Sequence, residues 1–94
     1  MEYEIVFTFS AQNDLRAIKK YICADNFSAA QNLVKTITES IENLRENTAL
    51  GRIGRVLRTR ELVIPNYPYI VPYQVRNNTI YILRVLHTSR KFKY

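Results

Sequence analysis

The chain reads as an α+β domain: an N-terminal strand, then an antiparallel helical hairpin packed on an antiparallel β-sheet of about four strands. Three observations predict this class. Residues 3–9 (YEIVFTF) are rich in strand-forming side chains. Residues 10–44 carry apolar side chains at helical spacing. Residues 59–87 return to β-branched and aromatic runs, broken by Pro and Asn-Asn turn signals.

The first helix is predicted from Ser10, whose hydroxyl is placed to cap it, through SAQNDLRAIKKYICA. Leu15, Ile18 and Ile22 share one face, with Arg16, Lys19 and Lys20 off it. A second helix is predicted from Ser28, where Ser28 and Gln31 have capping-box spacing. Ala30, Leu33, Val34, Ile37, Ile41 and Leu44 form its apolar stripe. The short Asp25-Asn26-Phe27 connection makes the two helices antiparallel.

Gly51 and Gly54 are the only glycines, and they open a basic loop, GRIGRVLR. Strands are predicted at Thr59–Ile64, Tyr69–Val75 and Thr79–His87. Asn77 and Asn78 tolerate positive φ and suit a tight turn. That turn sets Arg76 opposite Thr79, Val75 opposite Ile80 and Tyr73 opposite Ile82. A regular ladder then sets Val71 opposite Arg84, and places His87 on the face of Ile70, Pro72 and Gln74. Arg84 and His87 point to opposite faces unless the strand bulges. Pro72 has no ladder donor, so its nitrogen must meet an unpaired edge or a bulge. The first strand must pair with a later one, because helices follow it directly.

Ninety-four residues bound the chain to a single domain, 1–94, with one modest core. The net charge is +6. Residues 1–50 carry five basic and seven acidic side chains; residues 51–94 carry nine basic ones against Glu61 alone. Such a half-chain is suited to a polyanion or an acidic partner. The single cysteine, Cys23, forms no internal disulfide and falls in a helical apolar pattern. The acidic N-terminus has too short an apolar run for a signal peptide, and no stretch reaches the ~18 apolar residues of a membrane span, so the cytoplasm is the expected location. One His and one Cys without clustered carboxylates do not build a zinc site, and two glycines do not build a phosphate loop. No metal or other cofactor is expected.

TRELVIPNYPYIVPYQV followed by IYILRVLHTSRK resembles the RelE/ParE superfamily of toxins from bacterial type II toxin–antitoxin modules, once described as plasmid-stabilisation proteins. The likeness covers nearly the whole chain, in the family's element order. It implies a growth-inhibiting toxin neutralised by a cognate antitoxin whose binding segment wraps the toxin. The basic C-terminal half suggests that this segment is acidic. Two departures stand out. Relatives with the TREL motif usually have a glycine where Arg58 stands. RelE-like ribonucleases commonly carry an arginine where Ile70 stands. Together with the ILRVLHxSR ending, the second departure leans toward ParE-like interference with DNA gyrase. The alternatives are RelE-like ribosome-dependent mRNA cleavage and a non-toxic module that only binds antitoxin.

The residues that carry chemistry follow from these readings. Cleavage of RNA needs an activated 2′-hydroxyl, stabilisation of the phosphorane charge and an acid for the leaving oxygen. For a ribonuclease, His87 supplies the acid or base, and Arg60 and Arg90 supply phosphate contacts. A lone histidine at a strand end equally caps free backbone groups. Arg52, Arg55, Arg58, Arg76, Lys91 and Lys93 are the candidate target-binding cations, and Tyr73 or Tyr94 the candidate base-stacking aromatics. Arg60 and Glu61 alternate faces, so one of them is expected to be buried and paired. Arg84, between Ile82 and Leu86, is expected to pair structurally.

Overall fold

The computed structural model describes residues 2–89; Arg90, Lys91, Lys93 and Tyr94 lie outside the described residues, as does the side chain of Cys23. The order is β1 (Glu4–Phe7), α1 (Phe9–Asp25), α2 (Phe27–Glu42), a 3-10 turn (Asn43–Arg45), β2 (Arg52–Ile53), β3 (Arg60–Val63), β4 (Tyr69–Arg76), β5 (Thr79–Ile82) and β6 (Leu86–His87). The sheet runs β1-β5-β4-β3-β2, and β6 pairs with β4. The α+β class and the helical hairpin are as expected. The sheet has more strands than the four expected, because the basic loop forms β2 and the last strand is split. It is also mixed. β1 runs parallel to β5, with Glu4 opposite Thr79 and Phe7 opposite Ile82. The two helices and three strands that separate them in the chain leave no tight turn to force antiparallel pairing.

Both helices start earlier than the serine signals indicate. Thr8, in extended conformation, caps α1 by accepting from Ala11 N–H at 3.2 Å, and its hydroxyl donates to Leu83 C=O at 2.9 Å. One side chain thus caps α1 and ties it to the last part of the sheet. Asn26 closes α1 through its own N–H to Ile22 C=O and opens α2 by accepting from Ala29 N–H at 3.0 Å. In each case a residue two positions upstream of the predicted serine wins, since the cap must sit where the backbone is still extended.

The α2 stripe is buried as predicted at Ala30, Leu33, Ile37 and Ile41, and Leu44 extends it. These side chains meet Leu62, Val71, Tyr73, Ile80 and Ile82 from one sheet face, while Leu15, Ile18 and Ile22 of α1 pack alongside. Asn77 adopts φ 53° in the β4–β5 turn, and the predicted register holds from Arg76–Thr79 to Tyr73–Ile82.

Candidate functional site

Beyond Ile82 the register changes. Ile82 lies opposite Tyr73, but Leu86 lies opposite Ile70. Four steps on one strand match three on the other, so residues 83–85 hold a one-residue bulge. Pro72 sits at the break. Its carbonyl accepts from Leu83 N–H at 2.9 Å, and its ring nitrogen, on the same strand edge, has nothing to donate. Asp14, on α1, takes up the bulge. Its Oδ2 accepts from Val85 N–H at 2.9 Å and from Arg84 Nε at 2.7 Å, while Oδ1 accepts from Arg84 Nη2 at 3.0 Å. This bond to Asp14 holds the Arg84 pKa above its usual value, against the opposing effect of burial. Arg84 is therefore structurally paired, as expected.

The bulge corrects the predicted orientation of His87. It puts His87 opposite Tyr69, on the helix-facing side and not on the face of Ile70, Pro72 and Gln74. The two rings meet edge to face, centroids 5.2 Å apart at 79°. With Ala17, Ile18, Tyr21, Ile22 and Ser89 they line a cleft of about 400 Å³ beside α1. His87 Nδ1 accepts from Ser89 N–H at 3.1 Å and lies 2.8 Å from Ser89 Oγ. The Ser89 N–H contact assigns the proton of the neutral ring to Nε2. A ring held in this way caps the end of the strand and offers Nε2 as a donor, not as the acceptor a general base needs.

The cationic residues lie elsewhere. The side chain of Glu61 is nearly sealed from solvent, and it gathers two of the predicted target-binding arginines. Its Oε1 accepts from Arg52 Nε at 3.2 Å and Nη2 at 3.1 Å; its Oε2 accepts from Arg55 N–H at 3.3 Å and faces Arg55 Nε at 3.4 Å. Arg52 and Arg55 are thus clamp residues as well as surface cations, each still about half exposed. Arg60, on the other face of β3, donates Nη1 to Gly51 C=O at 2.7 Å. Arg58 is exposed at the hairpin tip with φ 66°, and among the described residues it has no carboxylate partner. Arg76 lies 5.5 Å over the Tyr81 ring.

Tyr73 is a correction. It was placed with the target-binding residues, but its side chain is fully buried in the core. Its hydroxyl accepts from Gly51 N–H at 2.8 Å and donates to Thr48 C=O at 2.7 Å, so no base can stack on it. A Cβ at Gly51 would come within 2.6 Å of its ring, which is why that position takes glycine. Burial raises the Tyr73 pKa above its ordinary value, opposed by the Gly51 N–H and the Arg60 charge.

Two clusters result, at different levels of β4. Arg60 pairs across from Tyr73, and β3 emerges from the hairpin at that end, toward Arg76. His87 pairs across from Tyr69. Four residues of strand separate them, roughly 13 Å. The candidate catalytic residues His87 and Arg60 are not brought together. Asp14 and Ser89, which organise the histidine end, had no assigned role. Asp14 did leave a signal, as a carboxylate four residues before Ile18 on the apolar stripe of its helix.

The family model for the ParE toxin of the type II toxin–antitoxin system parDE matches residues 5–92. The chain belongs to the ParE toxin family. Within that family setting it is 38% identical to the Putative toxin Y4kP of Sinorhizobium fredii, over 94% of this chain and 91% of that protein. It is 30% identical to Toxin RelE2 of Caulobacter vibrioides, over 93% and 97% of the two chains. A solved structure of the chromosomal ParDE TA system from P. aeruginosa superposes with a TM-score of 0.83, at 26% identity, over 92% of this ParE-family chain and 96% of that one. The YoeB dimer structure from Staphylococcus aureus, at 22% identity and TM-score 0.63 with full coverage of both chains, shares the fold. Among the described residues of this ParE-family toxin, no helix is long and apolar enough to cross a membrane.

Proposed function

We propose that this ParE-family chain is a growth-inhibiting toxin, held inactive by a cognate antitoxin in the cytoplasm, and that its target is DNA gyrase rather than mRNA on the ribosome. The observation that carries the choice of target is the separation of His87 from Arg60 along β4, with His87 Nδ1 already engaged by Ser89 N–H. Acid–base cleavage of RNA needs a proton-transfer group and a phosphate-stabilising group on one scissile phosphate. Among the described residues these two candidates do not converge. Ile70, where RelE-like ribonucleases commonly carry arginine, is 2% exposed and packed away from any ligand. The non-toxic reading loses one support. Arg58 adopts the left-handed φ that a glycine there would take, so the local turn is kept.

Inducing the chain in growing cells tests the target. Filamentation, an SOS response and cleaved chromosomal DNA support gyrase. Abrupt translation arrest with codon-positioned mRNA cuts overturns that reading in favour of the ribonuclease. His87→Ala is expected to leave growth inhibition within about threefold of the parent, since the ring's bonds are those of a strand cap. Co-expression with the neighbouring open reading frame is expected to restore growth; failure to do so counts against the toxin–antitoxin pairing.

A further inference from the structure

The hairpin formed by β2, β3 and the residues between them has features that neither the fold nor the gyrase reading uses. Leu57 and Ile53 project from it, 83% and 78% exposed, and are among the three most exposed large apolar side chains described. Arg52, Arg55 and Arg58 flank them, and the one acid of the segment, Glu61, is turned inward beneath two of these. We propose that this hairpin is the surface by which the toxin docks on its target, and that its occupant is an acidic face of a folded protein with an apolar centre. The proposal deepens the toxin reading and rests on it.

Three properties favour that occupant. Cations alone would suit phosphate, but two projecting aliphatic side chains give nothing to a nucleic acid backbone and no ring for a base to stack on. They do suit the buried centre of a protein interface ringed by charge complementarity. The hairpin is also held in shape. Glu61 fixes Arg52 and Arg55, Tyr73 fixes Gly51, and Gly54 N–H donates to Thr59 C=O at 2.9 Å. Ordering it on binding therefore costs little. Finally, it lies apart from the cleft beside α1. Ile53 and Leu57 line, with Arg58, Thr59, Arg60 and Gln74, a separate open concavity of about 400 Å³. An apolar side chain on the face of a folded partner can enter it while the cleft beside α1 stays open to an extended, wrapping segment.

The test compares the full-length parent with Ile53→Ser/Leu57→Ser and, separately, Arg58→Gly. Growth inhibition, co-purification with the neighbouring open reading frame's product, inhibition of gyrase supercoiling and thermal midpoint are measured for each. The double variant is expected to melt within about 4 °C of the parent, because both side chains are exposed. It is expected to need at least about tenfold more protein for the same growth inhibition, with antitoxin affinity within about threefold. Unchanged toxicity overturns the proposal. So does an equal loss of antitoxin binding, which would assign the hairpin to the antitoxin. So does a loss seen with Arg58→Gly but not with the double variant, which would mark a phosphate contact. A parent that arrests growth without inhibiting gyrase sinks the gyrase reading alone, and the hairpin is then still judged on growth. A parent with no growth effect overturns both.

Discussion

At Arg58 the backbone holds φ at 66°, a conformation that costs an L side chain about 1 kcal/mol relative to glycine. Arg58→Gly is expected to raise stability by up to about 1 kcal/mol in urea unfolding, net of the added chain entropy of glycine. A loss of stability would show that the arginine side chain holds the turn. Tyr73 gives a pH-dependent test. Its folded pKa lies above its ordinary value of 10.0. A raised folded pKa means that its contribution is fully present below pH 10 and is lost as pH rises through the folded value. Tyr73→Phe is expected to cost about 1–3 kcal/mol at neutral pH, because Gly51 N–H and Thr48 C=O lose their partner. It should also flatten the alkaline fall in stability; parallel pH profiles for parent and variant would contradict the assignment. Glu61→Gln removes the charge that Arg52 and Arg55 share. The expected loss is about 1–2 kcal/mol, below the figure for a wholly buried pair because both arginines are about half exposed. None of these partnerships was legible residue by residue. The alternation of Arg60 and Glu61 said that one of them would be buried, but Glu61 finds Arg52 and Arg55 only because β2 folds back on β3.

Among the elements, the split last strand matters most. Pro72 announced a bulge or an open edge in the sequence, yet the side on which the extra residue would fall could not be read. Asp14 decides it from a different element, some seventy residues away in the chain. Asp14→Asn is expected to cost about 2–3 kcal/mol, since Arg84 and Val85 N–H both lose a charged acceptor in a partly buried setting. With the clamp weakened, the ring contact between His87 and Tyr69 should also weaken, seen as loss of their proton–proton Overhauser effects. An intact contact would show that the bulge stands without Asp14. The helix starts teach a related lesson. Serine at 10 and 28 are sound capping residues, but Thr8 and Asn26 stand where the backbone is extended, and that is a property of how the strand enters the helix.

For the whole molecule, the net charge of +6 is neither evenly spread nor wholly available. Asp14 meets Arg84 at the bulge on one edge of β4, and Glu61, opposite Pro72 on the other edge, meets Arg52 and Arg55. The long-range field of the basic half should steer an acidic partner, whichever surface that partner finally covers. Association with the antitoxin is expected to slow about tenfold between 0.05 and 0.5 M salt, with little change in dissociation, in stopped-flow or surface-binding kinetics. Salt-independent association would remove electrostatics from recognition.

The sequence by itself determined the class, the helical hairpin, the apolar stripe of α2, the β4–β5 register through Arg76–Thr79, and the family resemblance. Each of these is written in spacing along a short stretch of chain, where periodicity and turn chemistry act locally. Only the tertiary structure decided that β1 is parallel to β5, that Tyr73 belongs to the core, that His87 turns toward α1, and that Arg84 is held by Asp14 while Arg52 and Arg55 are held by Glu61. Those outcomes depend on which distant groups meet, and a buried carboxylate or a displaced register has its energy fixed by neighbours that local sequence does not name.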